Sequence, residues 1–416
     1  PHGLKPAPAH GPVQRFLGQM VVGDAQQVAA VSQCVSDIET ADFVALDLEF
    51  SGLFLNVERD KKFLSLKENF DKCVKSIPEF LPVQLGVCCA RKQEAPHTWE
   101  LRTHEFNLWP QHRRIFTADL QSLRFLRTHG FDFNVFFEQA YAYTRLPPAD
   151  ADQGALLKLP PAHATRIVAA LRKSQSPLVF HNGLLDLLHL HDKFIGQLPS
   201  EMKRFGEAWT SNFPLLFDTR LIAQEGRTQV LKLSGGLSLK ELHAHLTSLS
   251  KVHMNFERAG PLGAGTGAHG SSGYDARLTA EVFIMEMDAW LRADALTGAK
   301  RRRKTGTGTD PAVEATAADD QTGDDEGWTV VSRKRPLDDV AAAGLASPSL
   351  LESHEVCRRF HNRIPVMGTE PDKFDLGRPP GPRLDSGPVT ALSEETSSFL
   401  EDAPATTDPY LTSGEQ

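Results

Sequence analysis

The stretch that most constrains this chain is Phe43-Val44-Ala45-Leu46-Asp47-Leu48-Glu49-Phe50. So apolar a run of strand length belongs to a strand buried in a core. It ends in acid. Residues i and i+2 of a strand point to the same side, so Asp47 and Glu49 aim at one spot beyond the hydrophobic part. Two carboxylates that close are costly unless a cation neutralises them, and hard oxygen ligands suit Mg2+ or Mn2+. Taken alone, an Asp-x-Glu at a strand end is more often a solvated turn, since charged residues are mostly exposed.

Around this strand the pattern alternates helix and strand. Val28, Val31, Val35 and Ile38 form one apolar helical face, with Asp24 expected as the cap of a helix over 21–40. The spacing predicts a charged helix over 58–79, strands over 81–90 and 100–108, and helix over 117–143 with a break at 130–134. Residues 144–163 read as a Pro/Ala-rich loop, 166–172 as helix, 178–180 as a strand and 184–194 as helix. An apolar stretch ends at Phe217-Asp218-Thr219-Arg220. Leu239, Leu242 and Leu246 share a helix face, and 258–273 forms a glycine-rich loop. A last helix over 275–291 turns Leu278, Val282, Met285 and Ala289 to the core.

Charge divides the chain. Residues 301–416 hold 21 acidic and 13 basic residues, an excess equal to the net −8 of the whole chain, so residues 1–300 balance. Low hydrophobicity from 297 to 350 and from 377 to 416 points to disorder, with local order expected only over 350–367. The expected organisation is a flexible 1–17, a folded domain over 18–296 and a mostly disordered tail over 297–416. In that tail, Lys300-Arg301-Arg302-Arg303-Lys304 and Ser332-Arg333-Lys334-Arg335-Pro336 suit nuclear import or RNA tethering. The nucleus is therefore the expected compartment, with the cytoplasm as a second. The apolar patch Trp328-Thr329-Val330-Val331 amid acids resembles a short docking motif. The five cysteines form no CxxC pair or zinc spacing, which fits a reducing compartment. No apolar run approaches membrane-spanning length, and Pro1–Pro12 has no hydrophobic signal core.

Two further acids stand where a site could form. In Phe180-His181-Asn182-Gly183-Leu184-Leu185-Asp186 a strand turns through Gly183 into a helix, placing Asp186 among leucines, where a carboxylate needs a partner. Its plain alternative is an acid complementing the helix dipole. Asp275 begins the last helix after His269 in the glycine loop. Its plain alternative is an N-cap, and that of His269 an ordinary loop histidine.

Taken together and in order, these stretches resemble the DEDD exonucleases, and within them the branch of poly(A)-specific ribonucleases and nuclear deadenylases. The resemblance is carried by FVALDLEFSGL (Phe43–Leu53), Phe80–Cys88, HGFDFN (His129–Asn134), LVFHNGLLDLL (Leu178–Leu188), FPLLFDTR (Phe213–Arg220), Ser238–Leu242 and GYDARLT (Gly273–Thr279). It spans about residues 18–292. It implies an RNase-H-like α/β fold, a mixed central sheet flanked by helices. It implies that Asp47, Glu49, Asp186 and Asp275 bind two Mg2+ ions, or Mn2+, which clamp a scissile phosphate from roughly 4 Å apart. It implies that His269 is the general base. Family members carry that histidine five positions before the last aspartate; His269 stands six before Asp275, and Ser271 stands where a second subclass has a tyrosine. Asp218, in the family's Asp-Thr pair, reads as structural. The interval 140–176 is too short for the family's inserted RNA-binding domains.

The expected activity is removal of 3′-terminal adenosines from single-stranded RNA with release of 5′-AMP. Phe50 would stack on the terminal base, as aromatic side chains do in single-strand readers, or is plain core. His181 and Asn182 would bond ribose or phosphate. Deadenylases of this type often pair, so a homodimer is compatible, although no exposed stripe demands one. Two other readings stay open: an inactive RNA-binding scaffold on the same fold, and an exonuclease acting on non-adenylate 3′ ends.

Overall fold

A computed structural model describes residues 12–55, 64–111, 115–145, 162–249, 254–260, 271–305 and 348–378. Helix α1 (Pro12–Glu39) opens it. A proline at the first helical position is pre-set for helix, so the helix begins there and Asp24 lies inside it rather than capping it. Val31 and Ile38 are fully buried and Val28 is exposed.

Strand β1 (Phe43–Phe50) lies inside a mixed sheet of seven strands. On one side it pairs antiparallel with β3 (Pro82–Lys92), which pairs antiparallel with β4 (Thr98–Pro110). On the other it runs parallel to β6 (Leu178–Phe180), which is followed by parallel β7 (Leu216–Asp218). The outer edge of β4 takes two short strands: β5 (Tyr141–Tyr143) at one end, β8 (Asn255–Ala259) at the other. This is the mixed α/β sheet flanked by helices that the resemblance implied.

Local chemistry trims the expected elements. The helix expected over 58–79 is α2 (Leu66–Ser76), begun by a capping box between Ser65 and Glu68. It follows the two-residue strand β2 (Leu64–Ser65). The region 117–143 divides into α3 (Leu120–Thr128) and α4 (Phe133–Gln139), capped by Asp119 and Asp132, and then β5. Helices α5 (His163–Ser174) and α6 (Leu184–Leu190) flank β6. The helix expected to reach Phe194 widens into a π turn at His191–Ile195, where buried Lys193 donates to the Ile77 carbonyl (2.8 Å) and pairs with Asp192. Helices α7 (Met202–Asn212), α8 (Thr219–Gly226) and α9 (Leu239–Leu249) lead to the long α10 (Ser272–Thr305). The first residues of the expected glycine loop belong to β8 and its last to α10. Residues 261–270, with His269, lie outside the described residues, as do 146–161 of the expected Pro/Ala loop and most of the tail.

The two faces of β1 carry different cores. Val44, Leu46 and Leu48 pack with α1, α5, α6 and α7. Phe43 and Ala45 pack with Ala276, Ala280 and Phe283 of α10, and the Phe43 and Phe283 rings meet edge to face at 5.0 Å. By the twofold alternation of a strand, Asp47 and Glu49 therefore lie on the α10 face.

Residues 348–378 are ordered well past the expected 350–367. Leu351, Cys357 and Phe360 enter the α10-side core; Ile364, Val366, Phe374 and Leu376 enter the other. This segment also covers the free edge of β7. Asn362 donates its N–H to the Leu216 carbonyl, accepts the Leu216 N–H on Oδ1 (both 2.9 Å), and donates Nδ2 to the carbonyls of Pro214 and Gly377. One residue, through its backbone N–H and its side chain, thus does what a neighbouring strand would do. All five cysteines are buried free thiols. Among the described residues, no helix is long and apolar enough to cross a membrane.

Asn362→Ala leaves the buried Leu216 N–H without its acceptor, and such a loss costs about 1–3 kcal/mol. Urea unfolding should show a destabilisation in that range with an unchanged m-value. A change within about 0.5 kcal/mol, typical of a surface substitution, would show that Asn362 does not hold the edge.

Candidate metal centre

The site is assembled where β1 outruns its parallel neighbour. Val44 and Ala45 pair with Leu178 and Val179, after which the pairing stops and β6 ends at Phe180. Further along β1, the Leu48 N–H has no strand to bond. Asp186, in the first turn of α6, supplies the acceptor: its Oδ1 takes the Leu48 N–H at 2.9 Å. The turn that brings Asp186 there is pinned by Asp218, fully buried, whose carboxylate accepts the N–H groups of Asn182, Gly183, Arg220 and Leu221. Asp218 is structural, as its position in the sequence suggested.

Asp275 arrives from the opposite face on α10. Two adjacent cross-strand rows form its seat: Glu49 opposite Gln84 opposite Asn107, and Asp47 opposite Gly86 opposite Glu105. A Cβ at Gly86 would lie 2.0 Å from the Ser272 carbonyl oxygen and 2.6 Å from the Gly273 nitrogen. The helix start therefore rests on bare backbone, and a glycine in mid-strand marks such an approach. The first N–H groups of a helix have no partner within it. Here each has one: Ser272 N–H donates to Gln84 Oε1 (2.9 Å), Gly273 N–H to Glu105 Oε2 (3.0 Å) and Tyr274 N–H to Ser271 Oγ (3.3 Å). Ser271 is thus the cap. Asp275 is not; it stands in the first turn with its carboxylate toward the sheet acids.

Asp47, Glu49 and Asp275 each offer an oxygen within 4.8 Å of the others. Asp186 lies beside this trio rather than within it. Burial, followed by the charges of Asp186, Glu49, Asp275 and Glu105, holds the Asp47 carboxyl well above the ordinary range. Burial, then Asp275, Asp186 and Glu105, pushes Glu49 up to about 8. Burial pushes Asp186 up to about 7, against the Leu48 hydrogen bond that lowers it. Converging half-buried carboxylates fit a divalent metal, whose hard-oxygen preference they match.

The substrate-side residues fare unevenly. Phe50 is half-buried and its ring lies face to face on that of buried His189, centroids 4.3 Å apart. Asn182 adopts a left-handed backbone (φ 63°) and is held by Asp218. His181 corrects an expectation: its Nδ1 meets Thr219 Oγ1 (2.8 Å) and its Nε2 the Leu237 carbonyl (3.1 Å). Both ring nitrogens are spent inside the protein, and burial followed by Arg220 lowers its pKa to about 4. It ties the β6–α6 turn to α8 rather than facing a ligand. Gln84, Gly86 and Glu105 were missed as site residues. A signal existed for the first two, a glutamine and a glycine inside an apolar strand; none marked Glu105.

A mixed sheet thus gathers acids from a central strand and two helices at one candidate metal centre. The model of the CAF1 family of ribonucleases matches residues 22–158 and 159–283, and the chain belongs to that family. Among its relatives, poly(A)-specific ribonuclease PARN of Danio rerio is 41% identical over 83 residues, 20% of this chain and 12% of that one. Poly(A)-specific ribonuclease PNLDC1 of Homo sapiens is 46% identical over 55 residues, 13% of this chain and 11% of that one. The pre-piRNA 3′-exonuclease trimmer of Bombyx mori is 40% identical over 57 residues, 14% and 11% respectively. These alignments span 12% or less of each relative's own length. The Mg2+- and Mn2+-bound structure of S. pombe Pop2p overlaps with a TM-score of 0.41 at 18% identity, covering 62% of this chain and 88% of Pop2p.

The raised carboxyl pKa values fix a sign. Protons bind these groups more tightly in the folded chain, so the metal-free fold loses stability as pH rises from the ordinary carboxylate range, about 4, through about 8. A cation must displace the same protons. Mn2+ affinity, read from the paramagnetic resonance of free Mn2+, should be at least about tenfold higher at pH 8 than at pH 6, one displaced proton giving up to tenfold per pH unit. Equal affinity at the two pH values would contradict the cluster as the binding site.

Proposed function

We propose that this ribonuclease is a 3′→5′ exonuclease that removes terminal adenosines from single-stranded RNA and releases 5′-AMP. The observation that carries the reading is the meeting of Asp47, Glu49 and Asp275 within 4.8 Å, with Asp186 held beside them on the β1 backbone. Held by these four carboxylates, two Mg2+ or Mn2+ ions would supply water activation and charge neutralisation at the scissile phosphate.

The chain's own residues supply the rest. Phe50 offers a half-exposed ring, backed by His189, to the 3′-terminal base. Asn182, within the β6–α6 turn, is assigned to the sugar-phosphate. His269 is assigned as general base: two residues beyond it stands Ser271, the cap of α10 beside the acids. It takes the proton of the attacking water as the phosphorus–3′-oxygen bond breaks. Names of relatives support the substrate class: two are poly(A)-specific ribonucleases and one is a trimmer of pre-piRNA 3′ ends. The last favours a second reading, trimming of non-adenylate 3′ ends by the same site. The basic clusters of the tail support action in the nucleus, and the branch's habit of pairing supports a homodimer.

A 5′-labelled RNA with a 3′ oligo(A) tail should shorten stepwise in Mg2+ or Mn2+, with 5′-AMP as product. Asp47→Ala should lower kcat at least about 100-fold, the upper end of the loss from merely outer partners of a metal. Wild-type protein that binds the tail but leaves its length unchanged would defeat the enzyme reading in favour of a scaffold. Oligo(A), oligo(U) and oligo(dA) in one assay separate the substrates: equal rates on oligo(A) and oligo(U) would replace deadenylation by trimming. His269→Ala should lower kcat with little change in KM.

A further inference from the structure

We propose that Glu105 is a positioning residue of the metal centre, fixing Asp275 by holding the first turn of α10 against the sheet. The inference rests on the reading of the acid cluster as a metal site. Glu105 lies mid-strand on β4, on the face that packs with α10: it shares that face with Leu101 and Thr103, and Leu101 is in the α10-side core. It is two strands from Asp47, with only Gly86 between them in the row. Because Gly86 carries no side chain, the Ser272-Gly273 backbone settles into that gap, and Glu105 Oε2 accepts the Gly273 N–H at 3.0 Å. Gly273 is two residues before Asp275, so this bond and the Gln84–Ser272 bond together fix the direction in which the helix leaves the sheet.

A glutamate is an odd choice for this place. It sets a further carboxylate beside acids that already repel one another, and its charge adds to those raising Asp47 and Glu49. Glu105 is outside the trio whose oxygens converge. Its placement makes sense as an acceptor that must reach a helix N-terminus, where partial positive charge favours an anion. The hydrogen bond, rather than ligation, is its contribution.

Two variants separate reach from charge. Glu105→Gln keeps an acceptor oxygen at the same length and removes the charge. Glu105→Asp keeps the charge and withdraws it from Gly273 by one methylene. The readouts are hydrogen exchange at the Gly273 amide in metal-free protein, Mn2+ affinity by paramagnetic resonance, and kcat and KM on tailed RNA. Glu105→Gln should keep Gly273 protected and remain within about threefold of wild type in kcat at saturating Mn2+, since the bond it keeps is the one that matters. Glu105→Asp should exchange Gly273 at least about tenfold faster and lose about tenfold in both Mn2+ affinity and kcat, with KM changed less than about twofold. The reverse order would show that charge is the contribution, and equal damage in both would make Glu105 a ligand; either overturns the proposal. So would wild-type behaviour of both variants. Should the wild type lack ribonuclease activity, the exchange and Mn2+ readouts still decide the role of Glu105, while the proposed function fails by itself.

Discussion

The arrangement depends on a close approach of backbone to backbone. Helix α10 starts on the sheet at Gly86, with the Ser272 carbonyl where any Cβ would be. A helix kept one side chain further away would carry Asp275 out of reach of Asp47 and Glu49. The seat is specific as well as close. Gln84, Glu105 and Ser271 each take one of the first three N–H groups of the helix, so its start is fixed by hydrogen bonds before any metal is considered. On the other side of β1 the logic is complementary: a strand that ends early leaves the Leu48 N–H for Asp186. The acids meet because β1 is long, β6 is short and β3 has a gap.

That meeting is electrostatically unfavourable in the bare chain. Burial and the neighbouring carboxylates hold Asp47 well above the ordinary range and push Glu49 up to about 8, and burial pushes Asp186 up to about 7. The fold tolerates this because apolar clusters pack against both faces of β1 and the first N–H groups of α10 are satisfied. Strain of this kind concentrated in one place is typical of sites that bind something, and three carboxylate oxygens within 4.8 Å of one another form a set that could hold a divalent cation.

Much of this was legible in the sequence. The apolar run ending in Asp47 and Glu49 is a central strand, and the turn through Gly183 does open a helix bearing Asp186. The twofold period put both β1 acids on one face. Other features follow from tertiary context and could not be read. Asp275 sits in a first turn, which resembles a cap until Ser271 is seen to be the cap. His181 stands beside the catalytic-looking motif, yet Thr219 and Leu237, distant in sequence, occupy both its nitrogens. Glu105 becomes a neighbour of Asp47 only through a two-strand register. The segment 348–378 is polar enough to pass for tail, but its first apolar residues enter one core, its later ones the other, and Asn362 closes the β7 edge.

The most direct test of the account is Gly86→Ala with Mn2+ affinity as the readout. The added methyl group meets the Ser272 and Gly273 backbone rather than a movable side chain. The helix start must therefore lift and take Asp275 with it. Gly86→Ala should give a folded protein with its sheet intact by circular dichroism and Mn2+ affinity reduced at least about tenfold, the scale on which changes around a metal's ligands act. Wild-type Mn2+ affinity in Gly86→Ala would contradict it, showing that the seat of α10 on the sheet does not build the metal centre.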